Sequence, residues 1–244
     1  MERPCVYLHG VAVVDEAAAE ANESEDDDGA GPGYPPRVIT RRAFALGLGA
    51  GLVTRALPTA AGDPAAGPVP TLQLAFAVAS EGGTPVRDDA WIDAQVAEAE
   101  RLFGGLGVHL RKTARRPLAE RFAHLETRLD RDALAAEMSR GVINVMLVGS
   151  LRDVDDTRLY RMGVHWRPAA TPAKHYVIVS ASALPSTLAH EIGHYFGNPH
   201  SAVRDNLMSY DRSGDQVFLD EAQGRIIRRF ARLYVRIGEL AAAP

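Results

Sequence analysis

HEIGHYFGNPHSAVRDNLM occupies residues 190–208, and its spacing carries most of what the chain says about its fold. Residues four apart on an α-helix stand one above the other on the same face. His190 and His194 therefore aim two imidazoles at one metal ion from consecutive turns. Glu191 projects from the neighbouring face, close enough to reach a water beside that ion without binding the ion itself. A helix carrying these residues must stop soon after His194, and Gly197 suits a left-handed stop because it has no Cβ to strain. Pro199 prevents the helix from resuming, and His200 then supplies a third nitrogen. Three protein ligands leave the fourth position of a tetrahedral zinc open, as a catalytic rather than a structural site requires. Glu191 is then placed as a general base for hydrolysis. Three of the eight histidines fall within these eleven residues.

The pattern His-Glu-x-x-His-x-x-Gly-x-x-His, followed by Met208, resembles the metzincin zinc endopeptidases residue for residue. The interval from His200 to Met208, with Ser201 after the third histidine, resembles the matrixin branch. Met208-Ser209-Tyr210 is more similar to astacins and serralysins. The resemblance implies an α+β zincin domain with a twisted mixed sheet, a backing helix, an active-site helix, a Met-turn and a C-terminal helix. It implies one catalytic Zn2+ on His190, His194 and His200, with Met208 as the hydrophobic floor beneath it. Tyr210 would steady the transition state, a role that rests on donors aimed at developing charge. An ordinary core or rim tyrosine is the competing reading.

The remaining chain supports that frame. It has 244 residues, 46 % hydrophobic and 24 % charged, with net charge −4, and gives no reason to expect nucleic-acid binding. Residues 1–36 carry the acidic run Glu23, Glu25, Asp26, Asp27, Asp28 and read as a disordered leader. Residues 37–61 read as a twin-arginine-type export signal. Thr40-Arg41-Arg42-Ala43-Phe44-Ala45-Leu46 precedes a Gly/Ala/Leu run that Arg55 interrupts, short of the roughly twenty residues a spanning helix needs. Thr59-Ala60-Ala61 offers small residues for cleavage. The expectation is an exported protein, periplasmic or extracellular, with no stable membrane span. Cys5 is the only cysteine, so no disulfide forms within one chain. Arg3-Pro4-Cys5 faintly resembles a matrixin cysteine switch but would leave with the signal.

Residues 62–244 are expected to form the catalytic domain. Leu72–Ala79 reads as a first strand, and Asp88 or Asp89 caps a helix that Gly104-Gly105 end. Val108–Leu110 begin a second strand, and Val142–Val148 is an apolar run typical of a strand buried on both faces. Met162–Trp166 and His175–Ser180 follow, before Pro185 and Ser186 lead into the zinc helix. By the resemblance, Gly163–Trp166 is the antiparallel edge strand above the cleft, which an extended peptide would pair with. His165 and His175 read as strand or rim histidines rather than ligands of a second zinc, since no third histidine and aspartate stand at suitable spacing. Asp153, Asp155 and Asp156 read as a solvated loop, with calcium as the unsupported alternative. Asp220 caps a last helix whose core face is Ile226, Ile227, Phe230, Leu233, Tyr234 and Ile237. Tyr210–Phe218 would wall the specificity pocket.

The function expected is zinc-dependent hydrolysis of peptide bonds in a peptide or protein substrate. The alternatives are an aminopeptidase or cell-wall peptidase on the same fold, or a zinc-containing binding module in which catalysis has lapsed. The sequence is silent on oligomeric state.

Overall fold

The computed structural model describes residues 6–8, 11–13, 69, 71–212 and 216–242. The signal, Cys5, the acidic run and Gly214 lie outside the described residues. Five strands form the main sheet: β1 (Leu72–Val78), β2 (Leu110–Pro117), β3 (Ile143–Val148), β4 (Gly163–Trp166) and β5 (Tyr176–Ser180). Their order is β4-β5-β3-β1-β2, parallel throughout except for β4, which runs antiparallel to β5 at the edge. Three helices complete the frame: α1 (Asp89–Gly104), α2 (Thr187–Tyr195) and α3 (Glu221–Arg236). The α+β architecture with a mixed sheet is as the sequence implied.

Alternation along the strands builds two cores. Leu72, Leu74, Phe76 and Val78 of β1 pack with Ile143, Val145 and Leu147 of β3 against the three helices. Ala77, Met146, Val148, Tyr176 and Ile178 face the other way, covered by Leu118, Phe122, Leu125 and Leu134. Every residue of β3 is buried, the expected result for a strand covered on both faces. Among the described residues no helix is long and apolar enough to cross a membrane.

Two expectations need correction. The second strand begins at Leu110 and runs to Pro117 through Arg111, Lys112, Arg115 and Arg116. Its outer side is an exposed edge, so polar residues fill it and no hydrophobic alternation is visible; such charges also guard an edge against further pairing. Ile237 does not belong to the core face of α3. It sits at the C-cap, just past the helix end, and is 60 % exposed. Near the N-terminus, Val6–Leu8 pairs antiparallel with Val11–Val13, which in turn pairs antiparallel with Leu159–Arg161.

The helix ends are specified by identifiable contacts. Asp88 accepts the Trp91 N–H at the start of α1, and Asp220 with Gln223 forms a capping box on α3. Ser186 gives α2 no such side-chain bond. Gln95 of α1 does it instead, accepting the Leu188 N–H at 3.2 Å while donating to Leu184 O. α2 ends in a Schellman motif: Asn198 N–H reaches Gly193 O and Gly197 N–H reaches His194 O, with Gly197 at φ +86°.

The segment after His200 is tied back by a buried amide pair. Asn206 and Gln223 each donate to the other at 2.9 Å, and their oxygens also accept the N–H groups of Met208 and Asp220. This pair fastens the turn carrying Met208 to the start of α3. Asn206→Leu should leave the Gln223 amide buried without its partner, a loss of about 1–3 kcal/mol. The urea midpoint reads that loss; an unchanged midpoint would show that the pair contributes nothing net.

Candidate metal centre

α2 presents His190 and His194 from consecutive turns, and the Schellman stop swings His200 back to meet them. The Nε2 atom of His194 lies 3.1 Å from that of His190 and 3.0 Å from that of His200. The His194 ring stands nearly perpendicular to both neighbours, at 87° and 89°. Hydrogen bonding decides what these nitrogens can do. His194 Nδ1 faces Asn198 O at 2.8 Å and His190 Nδ1 faces Leu207 O at 2.6 Å. A carbonyl oxygen only accepts, so the His194 proton sits on Nδ1 and its Nε2 is a bare lone pair, whereas His190 Nδ1 meets both the Leu207 carbonyl and the Arg212 guanidinium, which only donates. Burial first, then neighbouring cations, pushes His190 down to about 3; burial pushes His194 down to about 4 and also lowers His200. Neutral lone pairs this close repel unless a cation sits among them. Tetrahedral zinc, with nitrogens at about 2.0–2.1 Å, needs this donor set, and the three histidines fit it. Among the described residues they are the only such group of His, Cys, Asp and Glu side chains.

Two glycines let the surrounding parts approach. A Cβ on Gly193 would stand 2.4 Å from Met208 Sδ, so the Met-turn lies directly against the zinc helix. Met208 itself is fully buried. A Cβ on Gly163 would stand 2.8 Å from Glu191 Cγ, so β4 lies against the same helix at the glutamate. Glu191 is 6 % exposed. Burial pushes its carboxyl up to about 8, against the pull of the His165 N–H and Arg212. A cation held by the histidines would act in the same sense as Arg212.

Tyr210 lies over the centre, its ring 4.4 Å from that of His200 and 6.0 Å from that of His190. Arg161 donates to its phenol oxygen and is in turn paired with the buried Asp153. These residues open onto a cavity of about 550 Å³ that runs along β4 and is also lined by His165, Trp166 and Arg212. Of the expected pocket wall Tyr210–Phe218, Tyr210 and Arg212 line the cavity, residues 213–215 lie outside the described residues and Val217 belongs to the core.

Sequence reasoning missed Arg212. Its Nη1 donates to Leu207 O and Ser209 O, each at 2.7 Å, which places a buried guanidinium 2.7 Å from His190 Nδ1. An arginine two residues beyond Tyr210 carries no signal of that fold-back. The acidic loop is explained by pairing: Arg161 holds Asp153, Arg128 holds Asp155 at 2.5 Å and Arg158 holds Asp156 at 2.8 Å. His165 lies on β4 and His175 stands just before β5, which begins at Tyr176 rather than at His175, and the two bond to each other at 2.8 Å.

No protein-family model matches this chain, and no curated protein does. Among solved structures it is similar to metalloproteinase-II from Bacteroides fragilis, with a TM-score of 0.48 and 16 % identity over 66 % of this chain and 53 % of that one. This chain thus spans about half the length of the Bacteroides protein. It is similar to archaemetzincin from Methanopyrus kandleri, with a TM-score of 0.47 and 18 % identity over 66 % of this chain and 96 % of that one. It is also similar to promirolysin from Tannerella forsythia, with a TM-score of 0.47 and 11 % identity over 72 % and 86 %.

The two glycines separate metal holding from the glutamate. Gly193→Ala should displace Met208 and with it Leu207 O, the partner of His190, weakening zinc affinity by roughly 10–100-fold. Gly163→Ala presses on Glu191 instead and should leave zinc affinity unchanged. A zinc titration against a chromophoric chelator distinguishes them, and equal effects would refute this division of labour.

Proposed function

We propose that this chain is a zinc-dependent endopeptidase that hydrolyses peptide bonds in extended segments. The carrying observation is the convergence of three histidine Nε2 atoms beside a buried Glu191, in a cavity bordered by an edge strand. His190, His194 and His200 would hold one zinc ion. When bound, the ion supplies a Lewis acid that acidifies water and polarises a carbonyl oxygen.

The chain's own groups account for the remaining work. An extended peptide adds to the free side of β4, with main-chain pairing to orient the scissile bond. Glu191 takes the proton of the attacking water as its oxygen bonds to the carbonyl carbon. The same carboxyl then delivers that proton to the leaving nitrogen as the C–N bond breaks. The His165 N–H and the cavity walls hold Glu191 in one orientation for both transfers. The Tyr210 hydroxyl donates to the oxygen on which charge develops, and Asp153 through Arg161 keeps that ring over the centre.

An aminopeptidase would need a carboxylate free to clamp the substrate amine. The cavity aspartates Asp153 and Asp155 are both engaged by arginines, which favours internal cleavage. A lapsed binding module would have no use for Glu191 at this position. Export by the twin-arginine route is part of the proposal and rests on Arg41-Arg42 and the apolar run after them.

The deciding measurement is zinc content together with cleavage of a mixed peptide library, for the wild type and for Glu191→Ala. The variant is expected to keep about one zinc per chain, and to lose roughly 10²–10⁴-fold in turnover. Chelation should abolish wild-type cleavage and added zinc restore it. A variant as active as the wild type would sink the general-base role. A zinc-loaded wild type that cleaves nothing would favour the binding module.

A further inference from the structure

A second set of polar groups lies beneath β4, apart from the zinc ligands. His165 Nε2 is 2.8 Å from His175 Nδ1, and His175 Nε2 is 2.5 Å from Glu239 Oε1. The Tyr195 hydroxyl donates to the same Glu239 oxygen at 3.0 Å. His175 is 2 % exposed, stacked on the Tyr195 ring at 4.1 Å and met edge-on by Tyr234. Nothing in the reaction described above uses His175 or Glu239.

The direction of these bonds follows from one end. Burial works to raise the Glu239 carboxyl, but bonds from His175 and Tyr195 hold it below the usual carboxylate range. An ionised carboxylate only accepts, so His175 donates from Nε2. With His175 neutral, its other nitrogen is a lone pair, so His175 Nδ1 accepts from His165 Nε2. That leaves the lone pair of His165 on Nδ1. Among the described residues Nδ1 has no hydrogen-bond partner and is not among the sealed, unpartnered atoms, while His165 lines the cavity. The outcome is the reverse of His194: there a carbonyl partner puts the proton on Nδ1, whereas a carboxylate two links away puts the His165 proton on Nε2.

Resting on the peptidase reading, we propose that Glu239, His175 and His165 form a fixed chain of hydrogen bonds ending in the cleft as an acceptor for a backbone N–H of the substrate. His165 is the substrate-binding residue; His175 and Glu239 are positioning residues that set its tautomer. A fixed acceptor beside an edge strand suits an amide N–H because a peptide presents one at every residue, in a geometry the strand pairing already sets. Prior ordering by Glu239 means that the imidazole does not reorient when substrate arrives.

Two measurements test this. Nitrogen NMR of the zinc-loaded wild type at pH 8, above the ordinary imidazole range, should show His165 protonated on Nε2 and bare on Nδ1; Glu239→Leu should mix the tautomers. The second measurement takes a peptide that the wild type cleaves and replaces its backbone amides by esters one at a time. Binding is read in the zinc-loaded Glu191→Ala chain, with and without His165→Phe. Replacement at one position should weaken binding roughly 3- to 10-fold with His165 present, and have no effect at that position in the His165→Phe background. A purely structural His165 would give no such position-specific coupling. A His165 bearing its proton on Nδ1, or an ester series equal in the two backgrounds, overturns the inference and leaves the peptidase reading standing. A wild type that cleaves no peptide overturns both. Because the NMR result needs only the wild type, a His165→Phe chain that fails to fold does not protect the proposal.

Discussion

Two backbone carbonyls position the imidazoles of the three-histidine cluster. Asn198 O takes the Nδ1 proton of His194 and bares its Nε2, while Leu207 O meets His190 Nδ1 together with the Arg212 guanidinium. If either carbonyl moved, a ring could turn over or exchange its proton, and a donor nitrogen would face the metal position. Asn198 O is in place because the Schellman stop at Gly197 turns the chain there. Leu207 O is in place because Gly193 admits Met208 and because Asn206 and Gln223 hold the turn to α3. The turn carrying Met208 therefore acts through hydrogen bonding as well as through packing. Its methionine occupies space, and the carbonyl of the residue before it meets His190 Nδ1.

Charge in the cavity follows from the same arrangement. Burial of Glu191 costs free energy whenever it is ionised, and Arg212 offsets only part of that because it is itself desolvated. Its folded-state carboxyl lies above the ordinary value of 4.5, so the protein's groups alone would lose stability as pH rises from that range toward about 8. A dication among the histidines reverses the sign by favouring the carboxylate. Metal binding and ionisation of Glu191 would then support each other.

The sequence was most legible where one segment specifies its own geometry. His190, Glu191, His194, Gly197 and His200 sit within eleven residues on one helix and its stop, so local spacing predicts their meeting. Strands buried on both faces were visible as apolar runs, and Asp88 and Asp220 announced two helix starts. Features built from distant parts were hidden. The cap of α2 comes from Gln95, 93 residues before the N–H it accepts. Glu239 lies 64 residues from His175, and nothing near either residue marks the other as its partner. The course of the edge strand beyond Leu110 was hidden for a different reason: hydrophobic alternation records burial, and an exposed edge has little to record.

Histidines in this fold show how far a residue's chemistry depends on partners outside its own motif. An imidazole has two nitrogens, and which one is bare follows from what the other must donate to or accept from. At His194 the partner is the carbonyl of Asn198, four residues on, so motif and tautomer are specified together. At His165 the controlling group is a carboxylate reached through a second imidazole, and β4 alone would leave the tautomer open. The same side chain is thereby made a metal ligand in one place and a directed acceptor in another. Glu191 follows His190 in the chain and takes the backbone N–H of His165. The glutamate thus joins a histidine that meets the turn before Met208 to one whose partners reach past the end of α3, so the C-terminal part of the chain bears on both.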